Sequence, residues 1–216
     1  MIEFSLWDIL KQLLLALRWT AGLSLLAFVG GGLLGLALLV ARIARVPGAG
    51  RGVSWYVQLF QGTPLLMQLF LAYFGLALVG VPTSPLLAAG LCLTLYSAAY
   101  LTEIWRGCVE AVPRGQWEAG ASLALNLREQ LQHVILPQAA RIAVAPTVGF
   151  MVQIVKGTAL TSVIGFVEVT KAGQMIANAT FKPFLVYSCV GLMYFALCFP
   201  LSLWSRRFER RLRTPH

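Results

Sequence analysis

The feature that most constrains this chain is the length of its stretches without a formal charge. Residues 19–41 are 23 in a row with none, and residues 183–205 are 23 more. At about 1.5 Å of rise per residue, a helix of that length crosses a hydrocarbon layer roughly 30 Å thick. Residues 52–102 form an uncharged interval of 51, too long for one crossing. Val81-Pro82-Thr83-Ser84-Pro85 interrupts it with turn-forming residues, which predicts two helices, at about 56–79 and 86–109. Another span starts after Arg141 and runs to about residue 166, with Lys156 its one charge. The expectation is an all-α integral membrane protein of five transmembrane helices, residues 1–216 forming a single domain. Composition agrees: 58% of the chain is hydrophobic and 12% charged, more apolar surface than a water-soluble domain of this size buries.

The net charge of +9 is distributed, not diffuse. Twelve of the thirteen arginines fall after the first span (Arg42, Arg45, Arg51), after the third (Arg106, Arg114, Arg128, Arg141) or after the fifth (Arg206, Arg207, Arg210, Arg211, Arg213). Basic loops stay cytoplasmic, so the N-terminus is expected outside and the C-terminus inside. The same rule accounts for the basic balance without nucleic acid as a partner. Cys92, Cys108, Cys189 and Cys198 lie in or beside apolar runs without metal-ligand spacing, and read as packing residues. The first 19 residues place two acids before the first base and offer no small-residue cleavage site, unlike a signal peptide. Gly31 and Gly35 form a small-xxx-small pair, which either lets another helix approach closely or reflects the abundance of glycine in membrane helices.

Between the third and fourth spans lies a loop of about thirty residues, 112–138, longer than tight packing requires. A short helix is expected over 116–125. Asn126 followed by Glu129 has capping-box spacing, so a second helix starts at Leu127, and Pro137 ends or kinks it. This cytoplasmic helix-turn-helix either rests on lipid headgroups or docks a partner.

Within the loop, Glu118-Ala119-Gly120, Ser122-Leu123-Ala124-Leu125 and Ile135-Leu136-Pro137 resemble the EAA loop of ATP-binding-cassette importer permeases. Gly62-Thr63-Pro64-Leu65-Leu66, the run 99–107, the run 113–119, Leu136-Pro137-Gln138-Ala139-Ala140-Arg141 and Lys156-Gly157-Thr158-Ala159-Leu160 are similar to the polar amino-acid permeases of that class. The resemblance covers about residues 20–211. It implies a multi-pass subunit of the bacterial inner membrane that pairs with a second, identical or paralogous permease subunit. An ATP-binding-cassette ATPase dimer and an extracytoplasmic amino-acid-binding protein complete the assembly, with an amino acid as substrate. By the same resemblance Gly115, Gln116, Glu118, Ala119, Gly120, Ser122 and Leu123 lie on or beside a coupling helix facing the ATPase, and Pro137 sets the return into the membrane. Four positions depart from the family pattern. Alanine is usual at Gly120, glycine at Ala124, arginine at Gln61 and, in many relatives, aspartate at Gly157. The chain has no G-x-x-x-x-G-K-[ST] loop, so ATP and magnesium are expected on the partner ATPase, with no cofactor here.

The candidate substrate pathway comprises Gln61, Gln68, Tyr96, Glu103, Gln153, Lys156, Thr158, Thr161 and Ser162. A lysine at membrane depth costs a few kcal/mol unless it faces water or a partner. Gln153, three residues earlier, shares its helical face. Lys156 therefore meets either a substrate carboxylate or a neighbouring carbonyl or carboxylate. Glu103 and Arg106 are spaced for a local ion pair, well inward of Lys156. Gln61 and Gln68, seven apart, are expected on one face of the second span. Each of these polar groups has inter-helix hydrogen bonding as its alternative role. A membrane-embedded enzyme is disfavoured, because the two histidines are His133 and His216 and no catalytic grouping falls at membrane depth. An ATP-independent channel or structural subunit, or a permease for another small organic ion, stays open.

Overall fold

A computed structural model describes the backbone of residues 5–43 and 48–213, with side chains through residue 210. Arg45, His216 and the side chains of Arg211 and Arg213, which entered the charge and histidine readings, lie outside the described residues. Among the described residues the structure is helical: α1 (Leu6–Ile43), α2 (Ala49–Gly62), α3 (Leu65–Leu78), α4 (Pro85–Glu110), α5 (Arg114–Ser122), α6 (Leu127–Ile164), α7 (Val169–Thr180) and α8 (Pro183–Arg213). Helices α1, α4, α6 and α8 are each long and apolar enough to span a membrane. The α2–α3 pair, bent by 100°, makes a fifth crossing if counted as one.

The second span is therefore not the continuous helix expected over 56–79. Pro64 has no N–H to donate, and it forces Thr63 into an extended conformation (φ −117°, ψ 141°). The Gln68 side-chain amide reaches back to the carbonyls of Phe60 (2.9 Å) and Thr63 (3.1 Å) and to the Thr63 hydroxyl (2.8 Å). It thereby satisfies acceptors that the break leaves open. Gln61 and Gln68 do not share a helical face.

The long helix α1 packs along α4, and glycines set how closely they approach. A Cβ on Gly31 would overlap that of Ser97 and sit 3.0 Å from both the Ala98 nitrogen and the Thr94 carbonyl. One turn on, a Cβ on Gly35 would sit 3.0 Å from the Ala98 carbonyl. The gap this opens is used by the Thr102 hydroxyl, which donates to the carbonyls of Ala98 (2.7 Å) and Gly35 (3.1 Å). Close packing between helices is thus the role of this pair. Other crossings are pinned by single polar contacts: Tyr56 Oη to the Leu95 carbonyl (2.6 Å), Trp105 Nε1 to Thr147 Oγ1 (2.9 Å) and Ser205 Oγ to the Ala145 carbonyl (2.9 Å). Such bonds contribute about 0.6 kcal/mol each in lipid, so apolar packing carries most of the stability.

The loop between α4 and α6 differs from expectation in three ways. Its first helix is Arg114–Ser122, ending earlier than residue 125. Leu125 N–H bonds the Gly120 carbonyl (3.2 Å) and Ala124 N–H the Ala121 carbonyl (2.9 Å), a Schellman ending that puts Ala124 in the left-handed region at φ 57°. Second, the Asn126–Glu129 capping box forms in both directions, 3.0 and 2.9 Å, but the helix it starts does not stop at Pro137. A wider π-type turn over Gln130–Ile135 shifts the carbonyls the proline ring would meet, and α6 runs on to Ile164. Third, Gly120, where the family usually has alanine, is a contact point between helices. It is buried, and a Cβ there would lie 3.0 Å from Gln130 Cγ, so its bareness lets α5 close against α6.

A left-handed alanine is strained by about 1 kcal/mol relative to glycine. Ala124→Gly is accordingly expected to raise the melting temperature of the purified protein, by about 2–4 °C per kcal/mol for a chain of this size.

Candidate translocation site and coupling surface

Three elements meet at Gly157. A Cβ on Gly157 of α6 would meet Leu65 Cδ2 of α3 at 3.4 Å and Leu93 Cδ2 of α4 at 3.8 Å. The break in the second span therefore lies against the part of α6 that carries Lys156. Gln61, Gly62, Thr63 and Pro64 are all exposed there. Non-helical backbone at membrane depth is tolerated only inside protein or beside water, because lipid offers no hydrogen bonds. This break marks a face that does not contact lipid.

The exposed face of α6 agrees. Pro146, Gly149, Gln153 and Lys156, spaced three, four and three apart, form one stripe, while Val148, Val152 and Val155 are buried behind it. The stripe is small and polar where a lipid-facing helix would show Leu and Phe, as α1 does with Leu25, Leu33 and Leu36. Gln153 Nε2 donates to Tyr96 Oη (3.2 Å), and Tyr96 packs at a tilt on Tyr100 and stacks on Phe150. Lys156 is exposed and has no hydrogen-bond or ion-pair partner among the described residues.

The remaining pathway candidates sit elsewhere. Thr158 and Thr161 are fully buried, and Ser162 is half-buried. All three hydroxyls bond carbonyls three residues back, at 2.6–2.7 Å. Glu103 lies seven residues beyond Tyr96 on α4, about 10 Å toward the arginine-rich end. There it joins two helices: Arg42 Nη1 of α1 donates to its Oε1 (2.9 Å) and Arg106 Nη2 to its Oε2 (2.7 Å), with Arg106 also pairing Glu110 (2.6 Å).

One buried acid escaped the sequence reading. Glu168 is wholly inaccessible at the start of α7. Its carboxylate accepts from the N–H groups of Thr170 and Lys171 (2.9 Å each) and from Tyr194 Oη of α8 (2.6 Å). Thr20 of α1 closes the knot by accepting from Val169 N–H at 3.2 Å. Burial pushes this carboxyl above its usual range, and the donors pull the other way. Its sequence signal was a single acid in the otherwise acid-free run 130–208.

At the arginine-rich end, α5 presents a second distinct surface. Trp117 packs on a cluster of Val109, Val112, Ile135 and Ala139, and Gly120 is tucked beneath. Gly115, Gln116, Glu118, Ala119, Ser122 and Leu123 face outward, Leu123 being 74% exposed. The Glu118 carboxylate has no partner among the described residues. Gln116 alone reaches back, its Oε1 accepting from Gln138 at 3.2 Å, one residue beyond Pro137. From Gln130, where it meets Gly120 of α5, α6 runs on as one helix to Lys156, about 40 Å away.

Residues 33–214 match the family described as binding-protein-dependent transport system inner membrane component. The chain belongs to this family. Among related permeases, it is 34% identical over 213 residues to the L-cystine transport system permease protein TcyB of Bacillus subtilis, covering 98% of this chain and 90% of that one. It is 32% identical over 214 residues to the glutamine transport system permease protein GlnP of Escherichia coli K12, covering 97% and 96%. A solved amino acid ABC transporter with histidines superposes at a TM-score of 0.90, with 30% identity and 97% and 100% coverage. The inward-facing MetNI methionine ABC transporter shares the fold, at a TM-score of 0.75, 20% identity and 94% and 97% coverage. This permease is thus a multi-pass membrane protein built like the membrane subunits of ABC importers.

Proposed function

We propose that this permease is the membrane-spanning subunit of an ATP-driven, binding-protein-dependent importer of an amino acid. The observation that carries the reading is the exposed stripe of Pro146, Gly149, Gln153 and Lys156 on α6, with the broken second span packed through Leu65 against the adjacent Gly157. Lipid would not tolerate either, and a watery passage accommodates both. The ammonium group is suited to an amino-acid carboxylate, with Gln153 and Tyr96 supplying a donor and an aromatic wall. Relatives that carry L-cystine and glutamine support the substrate class.

In this reading a second permease subunit, identical or paralogous, completes the passage. An ATPase dimer docks on the outward face of α5 and holds ATP and magnesium, and an extracytoplasmic binding protein delivers the amino acid. The permease itself performs no bond chemistry. It lies in the bacterial inner membrane with its N-terminus outside and its arginine-rich end in the cytoplasm, where α5 meets the ATPase. ATP-driven closure moves α5, and α6 conveys that motion to the passage, alternating its access between the two sides.

The test is ATP hydrolysis by the permease purified with its co-expressed neighbours in liposomes. A binding protein loaded with one amino acid is expected to stimulate hydrolysis above the unloaded protein. A folded permease with no associated ATPase activity would return the chain to an ATP-independent channel or structural subunit.

A further inference from the structure

The placement of carboxylates against the exposed stripe of α6 restricts what the passage can accept. Both oxygens of Glu103 are engaged by Arg42 and Arg106, and Glu110 is paired with Arg106. Glu168 is buried, its oxygens taken by the α7 N–H groups and Tyr194. Glu129 is closed in its capping box, Asp8 is held by Ser5, and Glu118 and Glu209 belong to the arginine-rich end. Among the described residues, none of these carboxylates stands on the stripe of Pro146, Gly149, Gln153 and Lys156. Glu103 is about 15 Å from Lys156 along the bundle axis, and its charge is already met by Arg42 and Arg106. The stripe therefore carries one positive charge with no ion-pair partner among the described residues, flanked by the neutral groups of Gln153 and Tyr96.

From this we infer that the site discriminates by charge: it takes amino acids whose side chain is neutral or anionic and rejects those whose side chain is cationic. The inference rests on the proposed role of the α6 stripe as the wall of the passage. Every amino acid brings a carboxylate for Lys156. A lysine or arginine substrate brings a second cation that finds no acid there and is repelled by the first. The pairing of Glu103 with Arg42 and Arg106 matters equally, since Glu103 is the carboxylate of α4 nearest in height to Lys156 among the described residues.

The experiment measures binding directly to the permease–ATPase complex in lipid nanodiscs without binding protein, so that the permease's own preference is read. Tritiated glutamine, glutamate, cystine, arginine and lysine are compared. The expected result is at least tenfold weaker binding of arginine and lysine than of the best neutral or acidic ligand. Lys156→Arg, which keeps the charge, retains that ratio, and Lys156→Met brings it close to one. Arginine binding as tightly as glutamine or glutamate in the unaltered complex, or a ratio unchanged in Lys156→Met, overturns the charge selection while leaving the importer reading intact. Absence of binding by all five, together with absence of stimulated ATP hydrolysis, overturns the importer reading itself and the selection with it.

Discussion

Gly31→Val is expected to abolish accumulation of folded permease, because its side chain has no room between α1 and α4. The atoms it would meet are the Ser97 Cβ and the backbone at Thr94 and Ala98, none of which is the flexible end of a side chain. Ordinary overpacking costs about 1–3 kcal/mol, and here relief requires two helices to separate along their whole contact, so the cost lies above that range. Separation would also break the Thr102 bond to the Gly35 carbonyl. Gly31→Ala is expected to show the same defect in milder form, and Ser97→Gly to rescue it partly by removing the worst contact. Gly22→Ala is the control: nothing lies within 4 Å of its would-be Cβ, so yield and melting temperature hold or rise. Monodisperse yield after membrane extraction, with the melting temperature, measures all four. A normal yield of Gly31→Val would mean that α1 is not held against α4 by this contact.

Leu123→Arg is expected to leave the fold intact and to uncouple transport. Leu123 stands 74% exposed beside Ser122, capping the C-terminus of a helix anchored from its other side by Trp117. A surface change of this kind alters stability by about 0.5 kcal/mol or less. Loss of a central apolar anchor in a protein interface costs about 2 kcal/mol or more, a fall of roughly 30-fold in affinity. Amino-acid uptake into proteoliposomes and co-purification of the ATPase should both drop by that order. Gln132→Arg, exposed on α6 and outside α5, should change neither. If Leu123→Arg transports normally, α5 rests on lipid headgroups, where an arginine is welcome, and the docking surface lies elsewhere.

The two outcomes probe properties of unequal legibility. Charge-free length exposes the membrane crossings, since the cost of burying a charge in lipid falls on each residue independently of its neighbours. The Asn126–Glu129 capping box and the Glu103–Arg106 pair are equally local, each closing over three residues of one helix. The glycine spacing at positions 31 and 35 allowed a close approach or mere glycine abundance, and named no element that approached. Family motifs marked Gly62–Leu65 and Lys156–Thr158, but nothing in their spacing says that Leu65 and Gly157 touch.

What the sequence by itself determined is therefore an apolar helical chain with arginine at one end of its spans, a separately capped loop between the third and fourth, and one lysine deep in the fourth. Periodic, short-range energetics decide such features. Tertiary structure decided the rest. It broke the second span where Gln68 folds back on Thr63, carried α6 through Pro137, turned Gly120 into a contact with Gln130 and drew Glu168 into a knot with Thr20 and Tyr194. It also left Lys156 without a hydrogen-bond or ion-pair partner among the described residues. Each of these depends on which distant group arrives to supply or withhold a hydrogen bond or a volume, and only the folded chain brings those groups together.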